Sequence, residues 1–235
     1  METYENIYMV KRQNSTLLVS GRRRGRFSLR CISSEFYARS TVGVARDLLG
    51  NILVRLLRRG STKTKRMSGI IVETEAYGFT NDPASHAYGG LTIRNSAMFG
   101  DVGRAYIYFT YGSQFCVNIS ARSSNVKAGA VLVRALQPLE GIEEMKASRK
   151  TDDVLALTSG PGKLCQALNI NQSLNGYDVT DPNSELHVEY GFSPALIIET
   201  GRIGISRGTD KMWRFVIADR VRQGYLNKYA SRKKI

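Results

Sequence analysis

The sequence predicts an α+β fold: a single domain with a mainly antiparallel, curved sheet flanked by helices and a protruding β-hairpin. Three observations predict it. Several short β-branched and aromatic runs read as strands. Their order with the helical segments is not a regular βαβα alternation, which argues against a parallel sheet. Two of the runs, 105–111 and 115–121, are joined only by Gly112-Ser113-Gln114, a connection short enough to close a hairpin.

Taken in order, residues 1–33 are polar and basic without sustained periodicity and read as a flexible arm. The fold is expected to begin near Glu35-Phe36-Tyr37. Ser40 and Thr41 can cap a helix carrying Val42, Val44, Ala45, Leu48 and Leu49, and Gly50 stops it. Residues 51–57 read as a strand, 58–66 as a charged turn and 68–77 as a second strand. Residues 78–104 form a long segment with little strand or helix signal, and loops of that length in a domain are commonly functional. After the hairpin, 130–136 is a strand. Pro138 is placed near the first turn of a helix with Glu140, Glu143 and Glu144 early and Lys146, Arg149 and Lys150 late, a polarity that suits the helix dipole. Ser159-Gly160-Pro161-Gly162 leads into a short helix over 163–168. Residues 186–190, 196–200, 202–206 and 213–217 supply further strand-like runs. The domain is expected to span 34–235, with a basic tail from about residue 219.

Composition narrows the function. With 42% hydrophobic residues the chain can build a core. The 34 Lys+Arg against 20 Asp+Glu leave a net charge of +14, which favours a polyanionic partner. Three widely spaced cysteines, Cys31, Cys116 and Cys165, form no CxxC pair, so neither a thiolate zinc site nor a disulfide scaffold is expected. No apolar run reaches membrane-spanning length. The basic stretch through Arg22-Arg23-Arg24-Gly25-Arg26 lacks the apolar core of a secretory signal. It is compatible with a DNA-binding arm or an organelle transit segment.

The chemistry concentrates between residues 69 and 121. In a strand, alternate side chains share a face, so Glu73, Glu75 and Tyr77 point one way. Two carboxylates and a phenol there are either a solvated surface paired to arginines or a general base beside a stacking ring. His86 follows in the long loop, with no HxxxH or HxE pattern to suggest a metal. His187, set among Leu186, Val188 and Tyr190, reads as strand surface. Tyr106 and Tyr108 share a face of the hairpin, and Tyr111 sits at its tip beside Gly112, where an aromatic ring could wedge between base pairs. Arg94 and Arg104 flank the approach to the hairpin. Arg134 stands inside an apolar strand and needs an anionic partner. Gly162 and Lys163 sit in a Gly-rich turn before a helix, without Walker spacing, and are read as a nucleic-acid backbone contact.

Together these residues resemble the alkyladenine (3-methyladenine) DNA glycosylase family. The resemblance runs in order over residues 35 to 218. It is carried by Ile71-Val72-Glu73-Thr74-Glu75-Ala76-Tyr77, His86, Arg94-Asn95, Tyr106-Ile107-Tyr108, Tyr111-Gly112, Asn118-Ile119-Ser120, Val133-Arg134-Ala135-Leu136 and Ser159-Gly160-Pro161-Gly162-Lys163-Leu164. It implies a monofunctional, base-flipping glycosylase that excises damaged purines (the 3-methyladenine, hypoxanthine and ethenoadenine class) from double-stranded DNA as a monomer. No cofactor or metal is implied, and the protein would act in a DNA-containing compartment. By the same resemblance, Glu75 would activate the attacking water and Arg134 would help hold it. Tyr77 and His86 would stack on one face of the base and Tyr108 on the other. The main chain at His86 would read the base edge. Asn118 would crowd a purine 2-amino group and Tyr111 would fill the hole in the duplex, with Arg94, Tyr106, Gly162 and Lys163 against the DNA. Glu73 is expected to be structural. The segment from His86 to Met98 is one residue shorter than in vertebrate relatives, which bears on pocket width. The competing readings are a catalytically silent DNA-binding protein on the same scaffold and an RNA-directed N-glycosidase. Intact Glu75 and Arg134 argue against the first, and the wedge tyrosine against the second.

Overall fold

A computed structural model of the chain describes residues 31–59, 63–110 and 114–218. Eight strands make one sheet, and all their pairings are antiparallel. Strand β1 (Ile52–Arg59) pairs with β2 (Lys63–Tyr77). β2 is the axis of the sheet. Its first half lies beside β1, its second half beside β5 (Ala130–Glu140), and Glu73–Glu75 also pair with β8 (Arg214–Ile217). Strands β3 (Ala105–Thr110) and β4 (Gln114–Ser120) continue outward from β5. On the other side β6 (Leu186–Glu189) covers β1, and β7 (Ile197–Thr200) pairs with β8. Register shifts in the β2/β5 ladder around Glu73 bend the strand, as bulges do, where its partners change.

Helices α1 (Ser34–Tyr37) and α2 (Thr41–Asp47) close one face of the core through Tyr37, Val44, Ala45, Leu48 and Leu49, all buried. Ser40 holds the N-cap position without a side-chain bond. The neighbouring Thr41 hydroxyl donates instead to the Ala121 carbonyl at 2.7 Å. Gly50 ends the segment in the left-handed region, at φ 85°, and a Cβ there would lie 2.1 Å from the Phe192 carbonyl oxygen. Helix α3 (Ser96–Phe99) is a single turn in the long loop, while α5 (Pro161–Ala167) packs on β4 and β5 and α4 (Ile142–Arg149) packs on α5 and β2.

Four expectations are corrected. The ordered fold starts before Glu35, because Ile32 is fully buried and Cys31 bridges to Glu189; residues 1–30 of the expected arm and the tail from 219 lie outside the described residues. The charged turn over 58–66 is largely strand, since its charges are paired across the sheet: Lys65 to Glu144, and Arg66 to Glu140 and Glu189. Pro138 lies in β5 rather than in a helix. It faces Gly69 at a register irregularity, where the missing N–H costs the ladder least. α4 then begins after Gly141, whose φ is 72°. His187 is buried, not on the surface, and is held between the Ser184 carbonyl at 2.9 Å and Glu189 at 3.3 Å.

Two left-handed glycines separate backbone strain from steric clash. A Cβ on Gly176, at φ 84°, meets nothing within 4 Å, whereas one on Gly141 would lie 2.5 Å from Met67 Cγ. Gly176→Ala should lose about 1 kcal/mol of stability. Gly141→Ala should lose about 1–3 kcal/mol more, from overpacking. Urea unfolding midpoints of the two variants measure the difference.

Candidate active site

The site is built on β2 and its two neighbours. Glu73 and Glu75 share a face of the strand, as alternation requires. Arg134, from β5, reaches both: its Nε donates to Glu73 Oε1 at 2.9 Å and its Nη1 to Glu75 Oε2 at 3.0 Å. Arg214, from β8, adds a bond from Nε to Glu73 Oε1 at 2.7 Å. No motif in the sequence singles out Arg214 for this contact. All four side chains are at least nine-tenths buried. Burial lowers the affinity of Arg134 for its proton, but Glu75 and then Glu73 outweigh that and hold it more firmly than usual.

Glu75 is fully buried and takes two further hydrogen bonds. The Tyr77 hydroxyl donates to Oε2 at 2.8 Å, and the main-chain N–H of Ile203 donates to Oε1 at 2.8 Å. Burial and then the Glu75 charge push the Tyr77 phenol well above its ordinary pKa, so it stays a donor. Three bonds leave one of the carboxylate's four lone-pair sites for another donor.

A cavity of about 690 Å³ opens beside this cluster. Glu75 does not line it; its three donors Tyr77, Arg134 and Ile203 do. His86, Tyr106, Tyr108, Met98, Cys116 and Asn118 form much of the rest. The described wall carries three arginines, Arg94, Arg134 and Arg207, and no carboxylate. Among the described residues no group of three or more His, Cys, Asp or Glu side chains gathers as a metal ion requires.

The structure brings together Glu75, Arg134, Tyr77, His86, Tyr108, Asn118 and Arg94, and arranges the rings differently from the stack the resemblance implies. His86 meets Tyr108 edge-on, with centroids 4.6 Å apart and planes at 75°, rather than standing parallel to it across a gap. Tyr106, expected against DNA, is 1% exposed, and its hydroxyl bonds to His86 Nδ1 at 2.9 Å. Asn118 donates to the Tyr106 carbonyl at 3.0 Å, which fixes its amide in the wall. Arg94 lies with Cζ 5.5 Å over the Tyr108 ring. Gly162, also expected against DNA, is buried beneath Gln114, with no room for a Cβ. Lys163 sits beside it in the first turn of α5 and donates to the Ser159 hydroxyl at 3.2 Å. Tyr111 lies outside the described residues.

Several residues that shape the site were given no role in the sequence reading. Asn95 is buried, and its amide donates to the carbonyls of His86 at 2.8 Å and Gly90 at 2.9 Å, which folds the loop under His86. That occupies the His86 carbonyl. Among the described residues the His86 main-chain N–H has no partner. The segment 202–206, expected as a strand, is a loop that delivers Ile203 to Glu75 and Ile205 to the cavity. Left-handed Gly204 and Gly208 keep it out of the sheet.

Comparison with known proteins shows the family. Methylpurine-DNA glycosylase is the family matched, over residues 35–221. Three curated relatives each bear the name "Putative 3-methyladenine DNA glycosylase". The one from Prosthecochloris aestuarii is 45% identical over 79% of this chain and 86% of its own. The one from Rhodopseudomonas palustris is 45% identical over 77% and 84%. The one from Chlorobaculum parvum is 46% identical over 80% and 88%.

Burial, and then the Arg94 charge, lower the His86 pKa below its ordinary 6.5. The folded state therefore prefers the neutral ring, and the stability this gives is present above the unfolded value and lost as pH falls below 6.5. The imidazole resonances of His86 should titrate with a midpoint below 6.5. Arg94→Ala should move the midpoint upward, as followed by NMR.

Proposed function

The chain belongs to the methylpurine-DNA glycosylase family, and on that premise we propose that it removes alkylated or deaminated purines, of the 3-methyladenine, hypoxanthine and ethenoadenine class, from duplex DNA and leaves an abasic site. One observation carries the reading: an aromatic cavity whose described wall holds no carboxylate is backed by a buried one, Glu75, which is bonded to three residues that line the wall.

In the proposed reaction the nucleotide is flipped into the cavity. Unstacking costs a few kcal/mol, least for a damaged base, and the ring-lined pocket offsets part of it. The base parts His86 from Tyr108 and stacks on Tyr108, with Tyr77 and His86 on its other face and the His86 N–H at its edge. Asn118, fixed by Tyr106, stands where the 2-amino group of guanine would fall. A cationic alkylated purine is held by the rings and leaves as a neutral base when the C1′–N bond breaks and its electrons pass to the ring; hypoxanthine or ethenoadenine first takes a proton from solvent at a ring nitrogen and then leaves neutral in the same way. The Glu75 carboxylate stabilises the positive charge developing on the sugar. Water adds at C1′ and gives its proton to Glu75 through the lone pair still open, with Arg134 beside it.

Arg94 and Arg207, which line the cavity, and Lys163, two residues after the lining Pro161, are proposed to meet phosphates of the strand. Tyr111, which follows β3, is proposed as the wedge that fills the emptied stack. The protein is proposed to act as a monomer, without a cofactor or metal, in a compartment that holds DNA, with the basic arm of residues 1–30 preceding the domain. No described helix is long and apolar enough to cross a membrane.

The test is single-turnover release of base from duplexes carrying one 3-methyladenine, hypoxanthine or ethenoadenine, with alkali cleavage of the abasic product. Wild type should release base, and Glu75→Gln should slow it at least ~100-fold. A wild-type protein that releases none of the three removes the proposal. Wild-type rates in Glu75→Gln remove only the role of Glu75. Tyr111→Ser should weaken excision with little change in unfolding midpoint. Binding to undamaged duplex should fall steeply with added salt.

A further inference from the structure

Behind the cavity lies a buried ion pair outside the chemistry proposed above. Arg202 and Asp82 are both fully buried and meet in a two-pronged bond, Nη1 to Oδ2 at 2.7 Å and Nη2 to Oδ1 at 2.6 Å. Neither lines the cavity. Each stands one residue behind a part of the wall: Pro83 and Ala84 follow Asp82, and Ile203 and Gly204 follow Arg202. The pair thus joins the loop that carries His86 to the loop that carries Ile203.

Its other contacts fix the direction of both loops. Arg202 Nη1 also donates to the Ala76 carbonyl at 2.9 Å, and Nη2 to the Gly208 carbonyl at 3.2 Å. Asp82 Oδ2 accepts from the Gly78 N–H at 2.8 Å, and Oδ1 from the Ala84 N–H at 3.3 Å. The guanidinium lies 4.8 Å over the Tyr77 ring, on the residue that bonds Glu75, and 5.3 Å over Trp213. One residue on from Arg202, the Ile203 N–H reaches Glu75.

We infer that Arg202 and Asp82 are positioning residues: their pair latches the two loops across the cavity and sets the places of the Tyr77 ring and the Ile203 N–H against Glu75. A buried ion pair is weak evidence for stability, since an apolar pair of similar volume often serves the fold as well. A guanidinium fork, by contrast, fixes distance and plane together. Being fully buried, Arg202 cannot touch DNA directly. Its effect must pass through Tyr77, Ile203 and the His86 loop.

The inference rests on the proposed glycosylase reading, and the test separates the two. Single-turnover excision, affinity for undamaged duplex and thermal midpoint are measured for wild type, Arg202→Lys and the double variant Asp82→Leu with Arg202→Met. The latch predicts undamaged-duplex affinity unchanged in both and excision reduced at least ~100-fold in the double variant, even where its thermal midpoint equals that of wild type. Arg202→Lys keeps the charge but not the fork, and should lose at least ~10-fold. A double variant of wild-type midpoint that excises at the wild-type rate overturns the inference, and so does a fully active Arg202→Lys. Inactivity of wild type defeats the functional reading instead. Two readouts need no catalysis: the emission of Trp213, the chain's one tryptophan, and the His86 imidazole resonances. Both should shift in Arg202→Lys while far-UV circular dichroism stays unchanged. If both hold their wild-type positions, the latch is refuted.

Discussion

The bond of Arg134 to two carboxylates is the interaction on which the site depends. Glu73 and Glu75 sit on the same face of a strand that is buried along this stretch. Two unpaired carboxylates there would cost several kcal/mol each. The sheet resolves the conflict by topology. β2 pairs at this level with both β5 and β8, and each neighbour contributes one arginine. Glu73 is met by both Nε groups, while Glu75 receives one Nη and keeps a lone-pair site open. Two carboxylates that look equivalent by strand alternation are thereby made unequal. Glu73 ties β5 and β8 to β2, and Glu75 stays behind the cavity wall with one lone-pair site unfilled.

The same cluster determines the character of the cavity. Its acids face inward to arginines and a main-chain N–H group, so the described wall presents rings, guanidinium groups, an amide and uncharged side chains, but no carboxylate. Tyr77 is at once a donor to Glu75 and a ring under the Arg202 guanidinium. Its position is fixed at the hydroxyl and on a face. Tyr106 and Asn95 do the same for His86, from the ring nitrogen and the main chain respectively. The rings of the wall are held by polar bonds at their hydroxyl and ring-nitrogen ends.

Much of this was legible in the sequence where a period of two governs. The shared face of Glu73, Glu75 and Tyr77, the strands that carry Tyr108 and Asn118, and the need of Arg134 for an anionic partner all follow from alternation and burial. What escaped lies where no period operates. Arg202 reads as one more residue of a strand-like run, because nothing local announces that its partner is Asp82, far away in another loop. Asn95 and Ile203 act through main-chain groups, which carry no residue-type signal. The position of Pro138 was missed because a bulge, invisible in composition, gave it a place in β5. Edge-on packing of His86 against Tyr108 depends on rotamers that spacing does not set.

The order of these parts along the chain has a consequence for biosynthesis. β2 is made early, but its partners at the level of Glu75 come from β5 and then from β8, near the end of the described fold. Arg134 and the rings are made before Arg202, Ile203 and Arg214, so until synthesis reaches β8 Glu73 and Glu75 lack their last donors and the two loops cannot be joined. The cavity too lacks the part of its wall that residues 203–207 supply, so the site is complete only once this late stretch of chain has been made.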